Sequence, residues 1–357
     1  MGYGCGCKRF GGWGVQIPGI QYFIGYIHLI GQKMLNGKTV LVTGGSGTFG
    51  RAFIRHVLKH YKPRRLICFS RDEYKQWEMR KEFGEGRNGS PMRYFLGDVR
   101  DLDRLVMALR IVDIVIHAAA LKHVPSGEAN PMEVIKTNVI GAQNLVQAAI
   151  ACKVEKVIAL STDKAVNPIN LYGASKLCAE KLFIGANALS GENGTQFSVV
   201  RYGNVINSRG SVIELFSEQA KTGRITVTHP DMTRFFMRVE DSIRLVMDGL
   251  ECMKGGEVFI PKIPSVKITA LATAIGKGCA LEFSGIRPGE KLHESLISQD
   301  DSRNTVEWNL GYCVLPEADW YERNPNLLYA PKWFSYTSDS NPRFMTAEEI
   351  QNMVREC

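Results

Sequence analysis

Short apolar runs alternate with longer amphipathic stretches along the first part of the chain. The apolar runs, each rich in Val, Ile or Leu, are residues 40–43, 65–70, 93–96, 113–117, 154–161 and 197–202. The stretches between them place apolar residues at helical spacing, from Gly50 onward and over residues 72–83, 101–109, 131–151 and 171–188. This alternation of strand and helix predicts an α/β fold built on a doubly wound parallel sheet.

The first strand leads into a glycine-rich turn. In VLVTGGSGTFGRAFIRHVL the apolar run is followed by Gly44, Gly47 and Gly50 and then by an amphipathic helix. The glycines allow a tight bend and a close approach of the backbone to a pyrophosphate, whose charge would face the amides at the start of the helix. Because strand, turn and helix occur in the required order, the segment predicts the dinucleotide-binding turn of a Rossmann-type fold.

The end of the second strand indicates which dinucleotide is bound. A carboxylate usually stands there to receive a free ribose hydroxyl, whereas this chain has Ser70-Arg71. Arg71, with Lys75 on the following helix, suits a 2′-phosphate, so we expect NADP rather than NAD. Asp72 could serve a ribose, but at the start of a helix it is more simply an N-cap.

The alternating pattern loosens after Gly203, where glycine and proline turns become frequent. We therefore expect residues 34–203 to form the NADP-binding Rossmann domain. Residues 204–357 would form a smaller, partly discontinuous substrate-binding region, with some elements returning to the first domain. Residues 1–33 contain many glycines and an apolar run, 17–30, that is too short and too interrupted to span a bilayer. We interpret them as an N-terminal extension of unknown role, because MLNGKTVLVTGG at Met34 is typical of the start of a globular domain.

The segment STDKAVNPINLYGASK carries the candidate chemistry. Tyr172 and Lys176 lie four residues apart, so on a helix they share a face, and the ammonium would favour a tyrosinate that acts as a base. This spacing alone more often marks an ordinary exposed face. Thr162, Asp163 and Lys164, however, directly follow the fifth apolar run, and ligands of open α/β sheets bind beyond the carboxyl ends of the strands. That position favours catalysis over an exposed Asp163–Lys164 ion pair, which would contribute little energy.

Composition and charge narrow the function classes. The chain has 357 residues, of which 45% are hydrophobic, and a formal net charge of +8. Its basic residues are interleaved with apolar ones and form no long basic run, so we expect no nucleic-acid partner. Some of the excess positive charge suits an anionic nucleotide substrate. The nine cysteines form no Cys-x-x-Cys pair and no zinc-type spacing with histidine, so we expect reduced thiols in the cytoplasm and no metal.

Several longer segments together carry a family resemblance. In collinear order from Met34 onward they are TGGSGTFG, FSRDEYKQ, GDVRD, HAAALKHVP, STDKAVNPINLYGASK, RYGNVINSRGS, RPGEKLHE and SYTSD. The chain resembles the inverting UDP-N-acetylglucosamine 4,6-dehydratases, extended short-chain dehydrogenases of the CapD-like polysaccharide-biosynthesis group that begin pseudaminic acid synthesis. The resemblance implies a UDP-sugar substrate and a homo-oligomer such as a hexamer.

The resemblance also implies site residues. The cofactor contacts are Ser46, Gly47, Thr48 and Phe49 at the pyrophosphate, Ser70, Arg71 and Lys75 at the 2′-phosphate, Asp98 and Val99 at the adenine, Ala118 at the middle, and Tyr172 and Lys176 at the nicotinamide ribose. The sugar-nucleotide contacts are Lys122, Asn204, Val212, Thr228, Arg287 and Glu290. Arg287 is an apt diphosphate partner because a guanidinium offers a bidentate fork, whereas Val212 also suits plain packing.

The resemblance implies a dehydration that begins with oxidation of the sugar at C4 by NADP. The C4 ketone acidifies the C5 hydrogen, and hydride returns to C6 after water is lost. Related dehydratases that retain the C5 configuration have Asp-Glu after the Thr, where this chain has Asp163-Lys164. We expect Lys164 to remove the C5 proton and Asp163 to assist departure of the C6 hydroxyl, with Tyr172 as the first base and Thr162 completing the catalytic set. Reprotonation from the opposite face gives UDP-2-acetamido-2,6-dideoxy-β-L-arabino-hex-4-ulose.

Two rival functions stay open. One is an epimerase of UDP-N-acetylhexosamines, or a dehydratase of a different capsule pathway, with the same fold. The other is a non-catalytic NADP-binding module, although such modules typically lose the Tyr or Lys that this chain keeps at Tyr172 and Lys176. Asn207 stands where family members commonly have Gly, and because Asn tolerates positive φ the fold should survive while sugar contacts shift.

Other conspicuous side chains receive structural interpretations. We expect His117, His123 and His293 to be hydrogen-bonded structural residues without a catalytic role. In MTRFF, at residues 232–236, the aromatic pair should serve the core. Arg234 could approach a substrate or a neighbouring subunit and is left unassigned.

Overall fold

The structure, a computed structural model, describes residues 34–86, 89–191, 194–206, 210–308, 311–324 and 326–355. The expectations for the N-terminal extension, residues 1–33, and for Asn207 concern residues outside these ranges. Every helix within the described ranges is too short or too polar to cross a membrane.

Strands and helices are numbered here in chain order. The strands are β1 Thr39–Thr43, β2 Arg65–Ser70, β3 Met92–Leu96, β4 Ile114–His117, β5 Lys156–Thr162, β6 Gln196–Tyr202, β7 Asn204–Val205, β8 Arg224–Val227, β9 Thr233–Met237, β10 Val258–Pro261, β11 Ser265–Lys267, β12 Ala280–Phe283, β13 Ser295–Ile297, β14 Thr305–Trp308, β15 Gly311–Val314 and β16 Tyr336–Thr337. The helices are α1 Thr48–His60, α2 Glu73–Phe83, α3 Leu102–Leu109, α4 Val124–Ala129, α5 Pro131–Val134, α6 Gly141–Ala151, α7 Leu171–Ser190, α8 Val212–Ala220, α9 Val239–Cys252, α10 Ile268–Ile275 and α11 Ala347–Arg355. A π-helical turn, Ile135–Ile140, joins α5 to α6, and Asp163–Ala165 is a 3-10 turn.

A large sheet organises the described part of the chain. Its strand order is β14-β15-β10-β6-β5-β4-β1-β2-β3. The strands from β3 across to β10 pair in parallel, whereas β15 runs antiparallel to both β10 and β14. The strand order reverses at β1, so a crevice opens at the carboxyl ends of β1 and β4. The predicted doubly wound parallel sheet is confirmed.

The sheet buries both of its faces, which explains why its strands read as nearly continuous apolar runs. Alternate residues of β1 point to opposite sides. Leu41 belongs to a core shared with α3, α6 and α7, whereas Val40 and Val42 belong to a second core shared with α1 and α9. Each fully buried Leu or Val side chain contributes about 1.5–3 kcal/mol.

The C-terminal part of the chain is divided between the large sheet and a separate core. Strands β10, β14 and β15 extend the sheet, and α9 packs on one of its faces. The remaining strands form a small sheet β11-β9-β7 and the two pairs β12-β8 and β13-β16, and a third core includes Phe216, Ile225, Leu271 and Ile350. This third core supports the segments that face the carboxyl ends of the parallel strands.

The predicted helix over residues 131–151 is helical throughout but contains a π turn. The extra residue of that turn directs Asn138 at the loop after β4, where its amide bonds both backbone groups of Leu121 at 2.8 and 2.9 Å and the hydroxyl of Ser175 at 2.9 Å. Insertions of this kind are frequent at functional sites. Asn138 therefore ties the loop after β4 to helix α7.

Candidate active site

A cleft of about 690 Å³ opens at the carboxyl ends of the parallel strands, between the large sheet and the segments of the third core. Most of the predicted site residues line it. They are Gly44, Ser46, Gly47, Thr48, Phe49, Gly50, Lys75, Ala118, Lys122, Thr162, Lys164, Tyr172, Lys176, Asn204, Val212, Arg287 and Glu290. Ser70, Arg71, Asp98, Val99, Asp163 and Thr228 lie outside this lining.

The glycine turn at the base of the cleft has room only for glycine. Gly44 has φ +65°, and a Cβ there would lie 2.9 Å from the backbone of Ala119, while a Cβ on Gly50 would lie 2.5 Å from Cα of Gly45. Helix α1 begins after Gly47 with no side-chain cap and no acidic residue in its first turn. Its first amides therefore have no side-chain acceptor, which suits an anion such as a pyrophosphate.

Two cations stand near the carboxyl end of β2. Arg71 is half-exposed, with Nη1 3.5 Å from Oδ2 of Asp98, and the Lys75 ammonium pairs with Asp72. Asp72 also accepts from the backbone N–H of Lys75 at 2.9 Å, so its interpretation as an N-cap is confirmed. The hydroxyl of Ser70 is buried and accepts from Gln76 at 3.0 Å. A 2′-phosphate that bound Arg71 would therefore compete with the carboxylate of Asp98, and one that bound Lys75 would compete with the carboxylate of Asp72.

The two residues predicted to contact adenine differ in their surroundings. Asp98 accepts hydrogen bonds from the backbone and side chain of Arg100 at 3.0 and 2.9 Å. Burial alone would raise the pKa of Asp98, but these bonds and the charges of Arg100 and Arg71 hold it below its usual value. Val99 is a core residue that packs against Gly141.

Tyr172 and Lys176 lie in the first turns of α7, which Asn170 caps by accepting from the N–H of Gly173 at 2.8 Å. Burial raises the pKa of Tyr172, and the cation that most counteracts this is Lys164, together with a hydrogen bond to Thr162. Burial also lowers the pKa of Lys176 to about 8, against the opposing charge of Glu180. The spacing of the two residues was predicted, but the influence of Lys164 on Tyr172 was not.

Lys164 is surrounded by polar groups at the edge of the cleft. Its Nζ donates to Oδ1 of Asp163 at 2.9 Å and to Oδ1 of Asn204 at 3.3 Å, and it lies 3.5 Å from Oε1 of Glu294. Burial alone would favour the neutral amine, but the two carboxylates outweigh it and raise the pKa of Lys164 above its usual value. Asp163 lies beneath the cleft, fully buried, where its Oδ1 also accepts from the hydroxyl of Thr162 at 2.9 Å.

The residues expected to hold the sugar nucleotide come from several separate segments of the chain. Arg287 bonds Glu290 at 2.8 Å and is largely exposed, so its guanidinium is accessible from the cleft. Partial desolvation lowers the pKa of Lys122, although the charge of Glu214 opposes this shift. Val212 begins α8 at the cleft, whereas the hydroxyl of Thr228 is 3.1 Å from Sδ of Met232 and away from the lining.

The sequence analysis gave no role to two charged residues of the cleft. Glu294, the last residue of RPGEKLHE, and Arg234, in MTRFF, both line the cleft although each side chain is almost fully buried. Nε of Arg234 lies 3.9 Å from Oε1 of Glu294, and its Nη2 lies 3.7 Å from Glu290. Glu294 could have been predicted as a site residue because it lies in RPGEKLHE, a segment that carries the family resemblance. For Arg234 the sequence gave no signal other than its place in MTRFF.

The structure shows the surroundings of the histidines and of the aromatic pair that were expected to have structural roles. His117 is buried with its Nδ1 2.8 Å from the hydroxyl of Thr43, and Nδ1 of His293 lies 2.8 Å from the hydroxyl of Thr233. Burial lowers the pKa of His117 to about 3, so this ring is neutral. Both histidines are hydrogen-bonded as expected, and the aromatic pair Phe235 and Phe236 is buried in the core. His123 lines the cleft.

Residues 40–315 match a protein family described as polysaccharide biosynthesis protein. The chain belongs to this family. It is 48% identical over 332 residues, 90% of this chain and 98% of its relative, to a Campylobacter jejuni protein named UDP-N-acetylglucosamine 4,6-dehydratase (inverting). It is 46% identical over 291 residues, 79% of this chain and 84% of its relative, to a Rickettsia prowazekii protein named UDP-glucose 4-epimerase.

A solved structure extends the similarity of this polysaccharide biosynthesis family member to three dimensions. The X-ray structure of Pen from Bacillus thuringiensis superposes with a TM-score of 0.82 at 37% identity, and the match covers 90% of this chain and 98% of Pen. The family resemblance found in the sequence is therefore confirmed.

Proposed function

We propose that this protein is an NADP-dependent UDP-N-acetylglucosamine 4,6-dehydratase that inverts C5. The observation that carries the proposal is the presence of Lys164 and Tyr172 in one cleft, with Asp163 bonded to Lys164 from beneath. Epimerisation at C4 requires one base for the C4 hydroxyl. Loss of water from C6 requires in addition a base for the C5 proton and an acid for the leaving hydroxyl, and Lys164 and Asp163 can provide this pair.

The residues of the turn fit a nicotinamide dinucleotide. The close approach at Gly44 and Gly50 and the uncapped start of α1 suit a pyrophosphate at the base of the cleft. Tyr172 and Lys176 would hold the nicotinamide ribose. When bound, the dinucleotide supplies reversible oxidation of the sugar at C4.

Arg71 and Lys75 support NADP over NAD. An alanine at Arg71 should weaken NADP binding by about 1.5–3 kcal/mol, the usual contribution of a charged hydrogen bond, which is roughly a ten- to hundred-fold higher Kd. NAD binding should be unchanged, because NAD has no 2′-phosphate. Lys81→Ala, which removes the same charge from an exposed position of α2, is the control. Calorimetric titration that shows equal losses for NAD and NADP in Arg71→Ala would contradict the assignment.

The proposed chemistry gives each residue of the catalytic set a role in proton transfer. Tyr172 accepts the proton of the C4 hydroxyl as C4 becomes a ketone. Lys164 then accepts the C5 proton, and the electron pair of the C5–H bond remains on the sugar as an enolate. The C6–O bond breaks, and the hydroxyl leaves as water with a proton from Asp163, which receives that proton from the Lys164 ammonium across their 2.9 Å hydrogen bond. Because Asp163 is fully buried, we propose that the hydroxyl of Thr162, which lines the cleft and is hydrogen-bonded to Asp163, gives its own proton to the leaving hydroxyl and takes the proton of Asp163 in return.

The product distinguishes this function from epimerisation. Purified protein is incubated with NADP and UDP-N-acetylglucosamine in D₂O, and the product is followed by NMR. We expect C6 to become a methyl group and C5 to be inverted and deuterated. A product that keeps its C6 hydroxyl would instead support epimerisation, the activity named for the Rickettsia relative.

The role of the amine is tested by Lys164→Met, which should block loss of water. Lys181→Met is the matched control, because Lys181 is exposed on the same helix as Tyr172 and does not line the cleft. Full dehydratase activity in Lys164→Met would refute the assignment of Lys164.

A further inference from the structure

Lys164 can accept the C5 proton only as a neutral amine, yet two buried carboxylates flank it. Asp163 comes from its own turn, and Glu294 comes from the segment before β13, 130 positions later in the chain. Each carboxylate has one buried oxygen without a hydrogen-bond partner, Oδ2 of Asp163 and Oε2 of Glu294. A buried carboxylate oxygen that accepts no hydrogen bond is unfavourable for stability, so a buried carboxylate at Glu294, whose other oxygen faces the candidate base, requires an explanation.

The backbone of Glu294 is held firmly in place. Its N–H donates to the hydroxyl of Ser338 at 2.9 Å, and its carbonyl accepts from the N–H of Ser338 at 2.8 Å. The same hydroxyl lies 2.7 Å from that of Thr233 on β9. The carboxylate is therefore presented to the cleft from a fixed position.

Among the cations around the Glu294 carboxylate, Lys164 is the nearest. Oε1 lies 3.5 Å from Nζ of Lys164 and 3.9 Å from Arg234, and Oε2 lies 3.8 Å from Lys291. Arg234 already donates to three backbone carbonyls, and Lys291 donates to the carbonyl of Val166 at 2.6 Å. The charge of Glu294 is thus directed mainly at an amine of the catalytic set.

Several charged or titratable groups face Lys164 from the elements packed around it. They are Asp163 on its own turn, Lys122 after β4, Tyr172 on α7, Arg234 on β9, and Lys291 and Glu294 before β13. The three cations favour the neutral amine and the two carboxylates favour the ammonium. Because Asp163 is assigned to the leaving hydroxyl, Glu294 is the carboxylate whose charge stays with Lys164 throughout the reaction.

We propose that Glu294 is a positioning residue: its buried carboxylate holds the Lys164 amine toward the cleft and determines the pH at which this amine becomes a base. The inference rests on the proposed function, in which Lys164 removes the C5 proton. Glu294 itself neither touches the reacting carbon nor exchanges a proton with the sugar.

The test uses UDP-N-acetylglucosamine deuterated at C5, whose loss of deuterium to water reports the C5 step directly. In the wild-type protein with NADP, the rate of this loss should rise with pH as Lys164 loses its proton. Glu294→Gln keeps the size of the side chain but removes the charge, so the rise should move to lower pH by about one to three pH units. The rate at pH values below the wild-type rise should then increase by about ten-fold for each unit of this shift.

Three further variants make the result specific. Glu294→Asp keeps the charge and should keep the wild-type pH dependence, and Glu282→Gln, at an exposed position of β12, should leave the profile unchanged. Glu294→Ala, which lets water replace the carboxylate, should also move the rise in rate to lower pH. This variant replaces Glu294→Gln in the test if Glu294→Gln does not fold. A wild-type pH dependence in a folded Gln or Ala variant overturns the role of Glu294. Deuterium loss at the wild-type rate in Lys164→Met overturns the proposed base itself.

Discussion

Gly173 is the residue at which the helix that carries Tyr172 meets the turn that carries Lys164. A Cβ on Gly173 would lie 2.2 Å from the backbone oxygen of Lys164 and 3.0 Å from its carbonyl carbon. Backbone atoms cannot rotate out of the way as a side chain can. Gly173→Ala must therefore push the turn Asp163–Ala165 away from α7.

The size of this displacement follows from the contact distance. Ordinary contact of a Cβ begins at 3.4 Å, so the turn has to move by roughly 1 Å. Overpacking of this kind costs about 1–3 kcal/mol of stability. A shift of about 1 Å in a catalytic group lowers turnover by about 100-fold. We therefore expect Gly173→Ala to lose activity far out of proportion to its loss of stability.

Gly185 offers a matched control on the same helix. It is exposed, and a Cβ there would meet no atom within 4 Å, so Gly185→Ala should raise helix stability by up to about 1 kcal/mol and leave turnover unchanged. Urea unfolding followed by tryptophan fluorescence gives the free energies, and NMR of the product gives kcat. If Gly173→Ala is as active as Gly185→Ala, the close packing of turn and helix does not position Lys164.

Three further outcomes follow from buried charges. Burial lowers the pKa of Lys176 to about 8, so the ammonium is lost above that pH. The Kd for NADP, measured by fluorescence titration, should therefore rise as the pH passes through about 8. A Kd that stays constant across this range would contradict the role of the ammonium. Arg201 donates to both carboxylate oxygens of the buried Glu180 at 3.1 and 2.7 Å, so Arg201→Met should destabilise the fold by about 3–5 kcal/mol in urea, and Arg201→Lys by less. His117 has its pKa lowered to about 3, so below its unfolded value of about 6.5 the unfolded chain binds one more proton than the folded chain. As the pH is lowered from about 6.5 toward about 3, the free energy of unfolding should therefore fall by about 1.4 kcal/mol per pH unit. His117→Asn should not show this slope in an acid titration.

The parts of the fold that follow from local pattern could be predicted from the sequence. The strands of the parallel sheet read as apolar runs because both faces are covered, and the turn after β1 could be recognised because Gly44 and Gly50 have no space for a side chain. The π turn before α6 could not be predicted, since it depends on the contact of Asn138 with a loop that precedes it in the chain.

The candidate site was predictable to the extent that its residues follow a strand end or share a helix face. Thr162 and Lys164 at the end of β5, and Tyr172 on α7, meet these conditions. Glu294 does not, because it reaches Lys164 only through the pairing of β13 with β16 and the bonds of Ser338, and no periodicity reports such contacts.

The protonation state of Lys164 shows why residue type and spacing could not give the whole mechanism. A lysine after Asp163 predicts a base, but in the folded chain the same Asp163, joined by Glu294, favours the charged form that cannot accept a proton. Whether the amine is a base at a given pH depends on the balance between burial, which favours the neutral form, and charges brought together from distant parts of the chain. The pH dependence of the C5 step in the Glu294 variants is therefore the measurement that separates the effect of burial on Lys164 from the effect of the surrounding charges.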